Sequence, residues 1–273
     1  MLRPLANSKK VAMMKSSRSF FAFIAVLICT IPALLSASMA KAASPCTLHS
    51  DGDCGPYLYR PITASNGYTT YVTTRAGNGS GPQSLTVYSP GHWLVRTTQH
   101  GVPGNVVVAT AEIEQGFTLG NDTNPPWTEF SGIFSSYAGS SPESGIWQER
   151  YAVRLDTPGP VTEVDTITSD HGNGQYYTPN IIGHVVIYGK HFTVRRGDSL
   201  VAFYADQDSN SGTVHLLSEL RWLRDHGFLS PHAGISQIEF GWEFAFTGSN
   251  QTFQVSSFSL STGCLPGHSA SCN

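Results

Sequence analysis

The sequence predicts an all-β protein, a jelly-roll sandwich with one short helix packed outside it, and three observations predict it. Short runs rich in Thr, Val, Tyr and Ile recur at a spacing of about 8–12 residues, which is the rhythm of a sandwich or jelly roll. The breaks between them are clusters of Gly, Asn, Pro and Ser, drawn from 27 glycines and 16 prolines. One segment alone changes to helical spacing. Charged residues make up 13% of the chain and the formal net charge is −3, so neither nucleic acid nor an anionic membrane is indicated as a partner. Aromatics at 11% supply enough apolar area for a packed core.

The N-terminus reads as a secretory signal peptide over 1–42. Lys9, Lys10, Lys15 and Arg18 precede an apolar run from Phe20 to Leu35, and Ala40 and Ala42 complete an A-x-A site. The run is short for a membrane span and is interrupted by Pro32. Met13 or Met14 is an alternative start to Met1. The remaining 43–273, roughly 230 residues, suits one large β domain, exported and free of the membrane. Cys29 leaves with the signal, and Cys46, Cys54, Cys264 and Cys272 remain. An even count in an exported chain reads as two disulfides, either two local loops or two bonds tying the termini together. No pair has zinc-type spacing, so no metal is expected.

Along the chain the strands are "YTTYVTT", "QSLTVYS", "HWLVRTT", "NVVVATAEI", "IWQERYAVRL", "HVVIYGKHFTV" and "SLVAFYA". In "SGTVHLLSELRWLRDHGF" Val214, Leu217, Leu220 and Leu223 form a helical stripe. Ser211 is a candidate cap, Gly227 a stop, and the helix about four turns long. His215 and His226 are expected at its surface or ends rather than as ligands. The last unit, "QIEFGWEFAFTGSNQTFQVSSFSL", has the pattern of a β-hairpin. Ile238, Phe240, Trp242, Phe244 and Phe246 share one face of its first arm. The other face carries Glu239, Gly241, Glu243 and Ala245, which leaves a carboxylate mid-strand beside a glycine. Asn78, Asn121 and Asn250 each begin a triplet of the glycosylation-acceptor pattern.

The order of these parts resembles glycoside hydrolase family 12, compact secreted endo-β-1,4-glucanases built as a jelly roll of two curved antiparallel sheets. "FGWEFAFTGS" followed by "QVSSFSL" is similar to the family's terminal F-G-T-E-P-F-T-G-S and V-S-S-Y-S. "VVIYGKHFTV", "GIWQERYAVRLD" and "WTEFSGIFSSY" resemble further family strands, in the family's order, over most of residues 68 to 260. The resemblance implies a retaining β-glycanase that hydrolyses cellulose, mixed-linkage glucan or xyloglucan without a cofactor. It implies a β-glucan polysaccharide as partner, and the chain is expected to be a monomer. Such chemistry needs one carboxyl group to protonate the departing oxygen and a second across the bond. The resemblance places the general acid/base at Glu243. It places the nucleophile at Glu163 in "TEVDTIT", with Glu149 as the rival.

The chain also departs from the family's pattern. The methionine and tryptophan after the nucleophile are Asp165 and Ile167 here. The family's strand aspartate is Ala152, and the tryptophan of that strand is Arg154. Asp165, sharing a face with Glu163, is expected to stand in for the lost aspartate. Arg154, Trp93, Trp127 and Tyr176, or its neighbour Tyr177, are the remaining candidates for substrate contact. The loss of cleft tryptophans leaves a second reading open, a carbohydrate-binding or cell-surface module with a degraded catalytic pair. A serine hydrolase is disfavoured, because no G-x-S-x-G elbow occurs.

Overall fold

The structure, a computed structural model, describes residues 45–49, 52–59, 68–75, 81–89, 91–101, 107–118, 127–138, 145–156, 159–172 and 177–264. For 52–59, 68–75, 107–118, 127–130, 156 and 262–264 the description extends to the backbone alone. The proposed signal peptide lies outside the described residues. Cys46 is disulfide-bonded.

Two sheets form the fold. The first has six strands: β1 (Cys46–Leu48), β4 (Gln83–Ser89), β5 (His92–Thr97), β15 (Gln251–Cys264), β7 (Trp127–Ala138) and β13 (Ser211–Val214), adjacent in that order. The second has nine: β10 (Asn180–Ile187), β11 (Lys190–Arg196), β12 (Leu200–Ala205), β9 (Glu163–His171), β8 (Ile146–Asp156), β14 (Gly234–Phe246), β6 (Val107–Thr118), β3 (Tyr68–Arg75) and β2 (Gly52–Tyr59). Neighbours run antiparallel, except that β12 and β9 are parallel.

The terminal unit is not a hairpin. β14 pairs with β6 and β8 in the nine-stranded sheet, while β15 pairs with β5 and β7 in the other. The alternation that suggested edge-to-edge pairing instead makes the two arms pack face to face. Phe240 stacks on Phe258 with ring centroids 5.2 Å apart, and Phe244 meets Phe253 at 4.6 Å. Trp242 packs edge-on against Trp93 at 5.4 Å, and both are fully buried. Each such ring contributes roughly 1.5–3 kcal/mol by leaving water. Close approach of the sheets also requires Gly132 of β7, because a Cβ there would lie 2.2 Å from the ring of Tyr151.

"HVVIYGKHFTV" also divides, into β10 and β11, at Tyr188 and Gly189. Both have positive φ, 48° and 80°, the backbone that a two-residue hairpin turn requires at its centre. The helix, α1 (Leu216–Asp225), is shorter than four turns because its first residues are spent elsewhere. Ser211 to Val214 form β13 against β7, so Ser211 caps nothing and His215 occupies the N-cap position without a side-chain cap bond. Gly227, with φ 77°, follows the helix end as expected. Leu216, Leu217, Leu220 and Leu223 are buried, Trp222 meets Phe203 of β12, and Glu219 accepts a hydrogen bond from Thr166 of β9.

Candidate active site

Strands β9, β8 and β14 are neighbours in the middle of the larger sheet, and their pleats sort side chains to two faces. On β8 the core face carries Trp147, Glu149, Tyr151, Val153 and Leu155, all buried. The opposite face carries Gln148, Arg150, Ala152 and Arg154. On β14 that opposite face carries Glu239, Gly241 and Glu243, and on β9 it carries Glu163 and Asp165. Register fixes who meets whom. Glu243 stands across from Gln148, Gly241 from Arg150, Asp165 from Ala152 and Glu163 from Arg154.

The charged groups interlock. Arg150 donates from Nη1 to Glu163 Oε1 at 2.9 Å and to Asp165 Oδ1 at 2.9 Å. From Nη2 it donates to Glu243 Oε1 at 2.6 Å. Gln148 Nε2 donates to Glu243 Oε2 at 2.6 Å. Arg154 donates from Nη1 to Glu163 Oε2 and from Nε to Glu239 Oε1, the latter at 3.2 Å. Side-chain exposures are 3% for Arg150 and Asp165, 11% for Glu243, 17% for Glu163 and 39% for Arg154. The guanidinium of Arg150 is therefore the floor of the site, and the two glutamates stand between it and solvent. Because both accept hydrogen bonds from one guanidinium, their carboxyl groups lie within reach of each other, inside the roughly 9.5 Å limit for a glycosidic pair.

Burial opposes the charge of Arg150, but Asp165, Glu243, Glu163 and Glu239 outweigh it and hold the guanidinium protonated, its pKa well above the usual value. Burial pushes the Asp165 carboxyl well up, Arg150 pulls it back only in part, and Glu163 and Glu243 push the same way as burial. These groups line a cleft of about 230 Å³ together with Tyr177, Leu200 and Tyr204. A larger recess of about 490 Å³ lies around Lys190, Phe192, Ala205 and Asp208, away from the paired glutamates. Among the described residues no cluster has the make-up of a metal site.

The candidate residues fall into three groups. Glu163, Asp165, Glu243 and Arg154 meet on one face of the sheet, and Tyr177 lines the same cleft. Two candidates lie on the core side. Trp93 is fully buried against Trp242 and cannot stack on a sugar, so its assignment to substrate contact is corrected. Glu149, the rival nucleophile, is 2% exposed on the face opposite Glu243 and bonds Thr168 at 2.9 Å. The side chain of Trp127 and all of Tyr176 lie outside the described residues. The sequence reading missed Gln148, Arg150 and Tyr204, and it placed Glu239 on the face of Glu243 without naming it a site residue. The signal for Arg150 was present, since it lies two and four residues from Ala152 and Arg154 and so shares their face.

No protein-family model matches the chain, and no curated protein matches it in sequence. Solved structures do match its fold. The xyloglucanase domain of NopAA, a type three effector from Sinorhizobium fredii in complex with cellobiose, aligns with a TM-score of 0.64 at 18% identity, covering 80% of this chain and 98% of that one. Endoglucanase 3 of Trichoderma harzianum, from glycoside hydrolase family 12, aligns at 0.63 and 18% identity, covering 81% and 99%. A family 12 xyloglucanase from Bacillus licheniformis aligns at 0.58 and 14% identity, covering 78% and 100%. The fold is thus the family 12 jelly roll.

Proposed function

We propose that this protein is a secreted retaining endo-β-glycanase acting on a β-1,4-glucan: cellulose, mixed-linkage glucan or xyloglucan. The observation that carries the reading is that Glu163 and Glu243, on separate strands, meet one guanidinium on the same face of the sheet. Two carboxyl groups so close can flank a single glycosidic bond. Glu163 attacks the anomeric carbon as the leaving oxygen takes a proton from Glu243. Glu243 then removes a proton from the water that releases the sugar, restoring both groups. Asp165, directly across from Ala152, supplies the carboxyl that the strand lacks at that position and helps orient Arg150 beneath the nucleophile. Arg154 and Tyr177 contact the sugar chain at the cleft mouth.

The test is reducing-end release from a panel of soluble β-glucans and xylans. At least one β-1,4-glucan is cleaved, and Glu243→Gln lowers the rate by about 10²–10⁴-fold. Absence of cleavage across the panel, or a fully active Glu243→Gln, overturns the proposal.

A second reading, a carbohydrate-binding module without hydrolysis, is favoured by one observation. Both oxygens of Glu243 already accept hydrogen bonds, from Arg150 and Gln148, a pattern that suits an ionised carboxylate better than an acid about to donate. Retention of a glucan on the protein without release of reducing ends distinguishes this case.

A further inference from the structure

Nothing in the reaction proposed above uses Arg150 directly, yet every carboxylate it needs is tied to that side chain. The donors sit on one rigid planar group, with Nη1 serving Glu163 and Asp165 and Nη2 serving Glu243. The space for it is built into the register. Arg150 faces Gly241 on β14, which has no side chain to compete, and Ala152, two residues along β8, is the smallest residue with one. Its burial below Glu163 and Glu243 keeps it from replacing either as the group that meets a sugar. Gly241 thus makes room for an arginine.

We propose that Arg150 is a positioning residue: its guanidinium fork sets the separation and orientation of Glu163 and Glu243, so that the cleft depends on the shape of the fork and not merely on a positive charge. This inference rests on the hydrolase reading. A retaining displacement requires the two carboxyl groups at about 5–5.5 Å. A misplacement of about 1 Å is enough to cost on the order of 10²-fold in rate. Lysine brings the same charge as a compact ammonium on a flexible stem and cannot span three carboxylates with fixed donors.

The experiment compares wild type with Arg150→Lys on a soluble β-1,4-glucan that the wild type cleaves. Expected is a folded variant whose kcat, per folded molecule, falls about 10²-fold while KM stays within roughly 3-fold. A purely structural arginine would lower the melting temperature and the folded fraction but leave kcat per folded molecule unchanged. An Arg150→Lys enzyme within about 3-fold of wild-type kcat overturns the inference. If Arg150→Lys does not fold, Arg150→Gln combined with Asp165→Asn removes one charge of each sign. That double variant is compared with Asp165→Asn alone. A further fall of about 10-fold or more in kcat supports the role, and equal rates overturn it. A wild type inert on every glycan overturns the hydrolase reading, and the positioning role with it. An active wild type with an equally active Arg150→Lys overturns the positioning role alone.

Discussion

The carboxylates on the two faces of the larger sheet live in opposite conditions. On the cleft face Glu163, Asp165 and Glu243 share Arg150, and Glu163 and Glu239 share Arg154. On the core side Glu149 and Glu219 form no ion pair among the described residues; hydroxyl groups bond them, Thr168 for Glu149 and Thr166 for Glu219, and one oxygen of each has no hydrogen-bond partner. Burial raises Glu149 to about 7, partly offset by hydrogen bonds from Ser136 and Thr168. Burial raises Glu219 to about 8, partly offset by Thr166 and the charge of Lys190. The lesson concerns partners as well as depth, for burial pushes even Asp165 up in spite of Arg150. A buried carboxyl group without a cation is best accommodated as a neutral acid, whereas the cleft concentrates negative charge around a cation that is itself buried.

The most severe way to break this contrast is to remove the cation. Arg150→Met leaves Asp165 and Glu243 with no counter-charge and Glu163 with Arg154 alone, and is expected to cost about 3–5 kcal/mol of stability. Urea unfolding of wild type and variant at pH 7 measures it. A loss below about 1 kcal/mol would mean that the carboxylates do not depend on Arg150 for their burial.

The core side predicts the reverse sign. Below pH 4.5 Glu219 is protonated whether the chain is folded or not, so it does not affect the balance. Between 4.5 and about 8 the unfolded chain ionises there while the folded one keeps its proton, so stability falls as pH rises and levels off above about 8. Glu219→Gln removes that slope. Relative to wild type it should gain up to roughly 4 kcal/mol on passing from pH 4 to pH 8.5. Taking the difference between the two pH values cancels any fixed cost of burying the amide. Thermal melts at both pH values decide it, and a constant offset would refute the shift.

Glu149→Gln should follow the same course over a narrower window, from 4.5 to about 7, with a gain of roughly 3 kcal/mol. Melts at pH 4, 7.5 and 8.5 separate the two residues. The Glu149 gain is complete near pH 7, while that of Glu219 continues to grow. If Glu149 instead titrated as an exposed carboxyl group, the variant would show no pH-dependent gain.

The same two faces explain how far the sequence could be read. Period-two alternation located Glu243 and its aromatic backing, because each strand buries one face and the pattern needs no knowledge of neighbours. The same alternation puts Glu149 in phase with Tyr151, Val153 and Leu155, which the structure buries with it. It could not show that β14 and β15 belong to different sheets, since face-to-face packing and hairpin pairing draw on the same alternating residues. Trp93 was misplaced because an aromatic on a strand fits a sugar platform as well as a core, and only the partner sheet decides. Arg150 was legible as a cleft-face residue. Its triple pairing was not, because diagonal contacts depend on which strands are neighbours and in what register.

The gentlest test concerns Glu163, which spans the contrast by itself, with one oxygen on buried Arg150 and the other on half-exposed Arg154. If desolvation sets the worth of an ion pair, the two arginines should differ sharply although they share this partner. Arg154 is wetted at the cleft mouth, and water and salt screen its bonds to Glu163 and Glu239. Arg154→Ala is therefore expected to cost under about 1 kcal/mol, against about 3–5 kcal/mol for the loss of Arg150. The cost of Arg154→Ala should shrink further when urea unfolding is repeated at about 1 M salt, whereas the cost of Arg150→Met should hardly change. Equal costs at the two positions, or a buried pair as salt-sensitive as the exposed one, would show that Arg150 is not screened from solvent, and the floor assigned to it would have to be open to water.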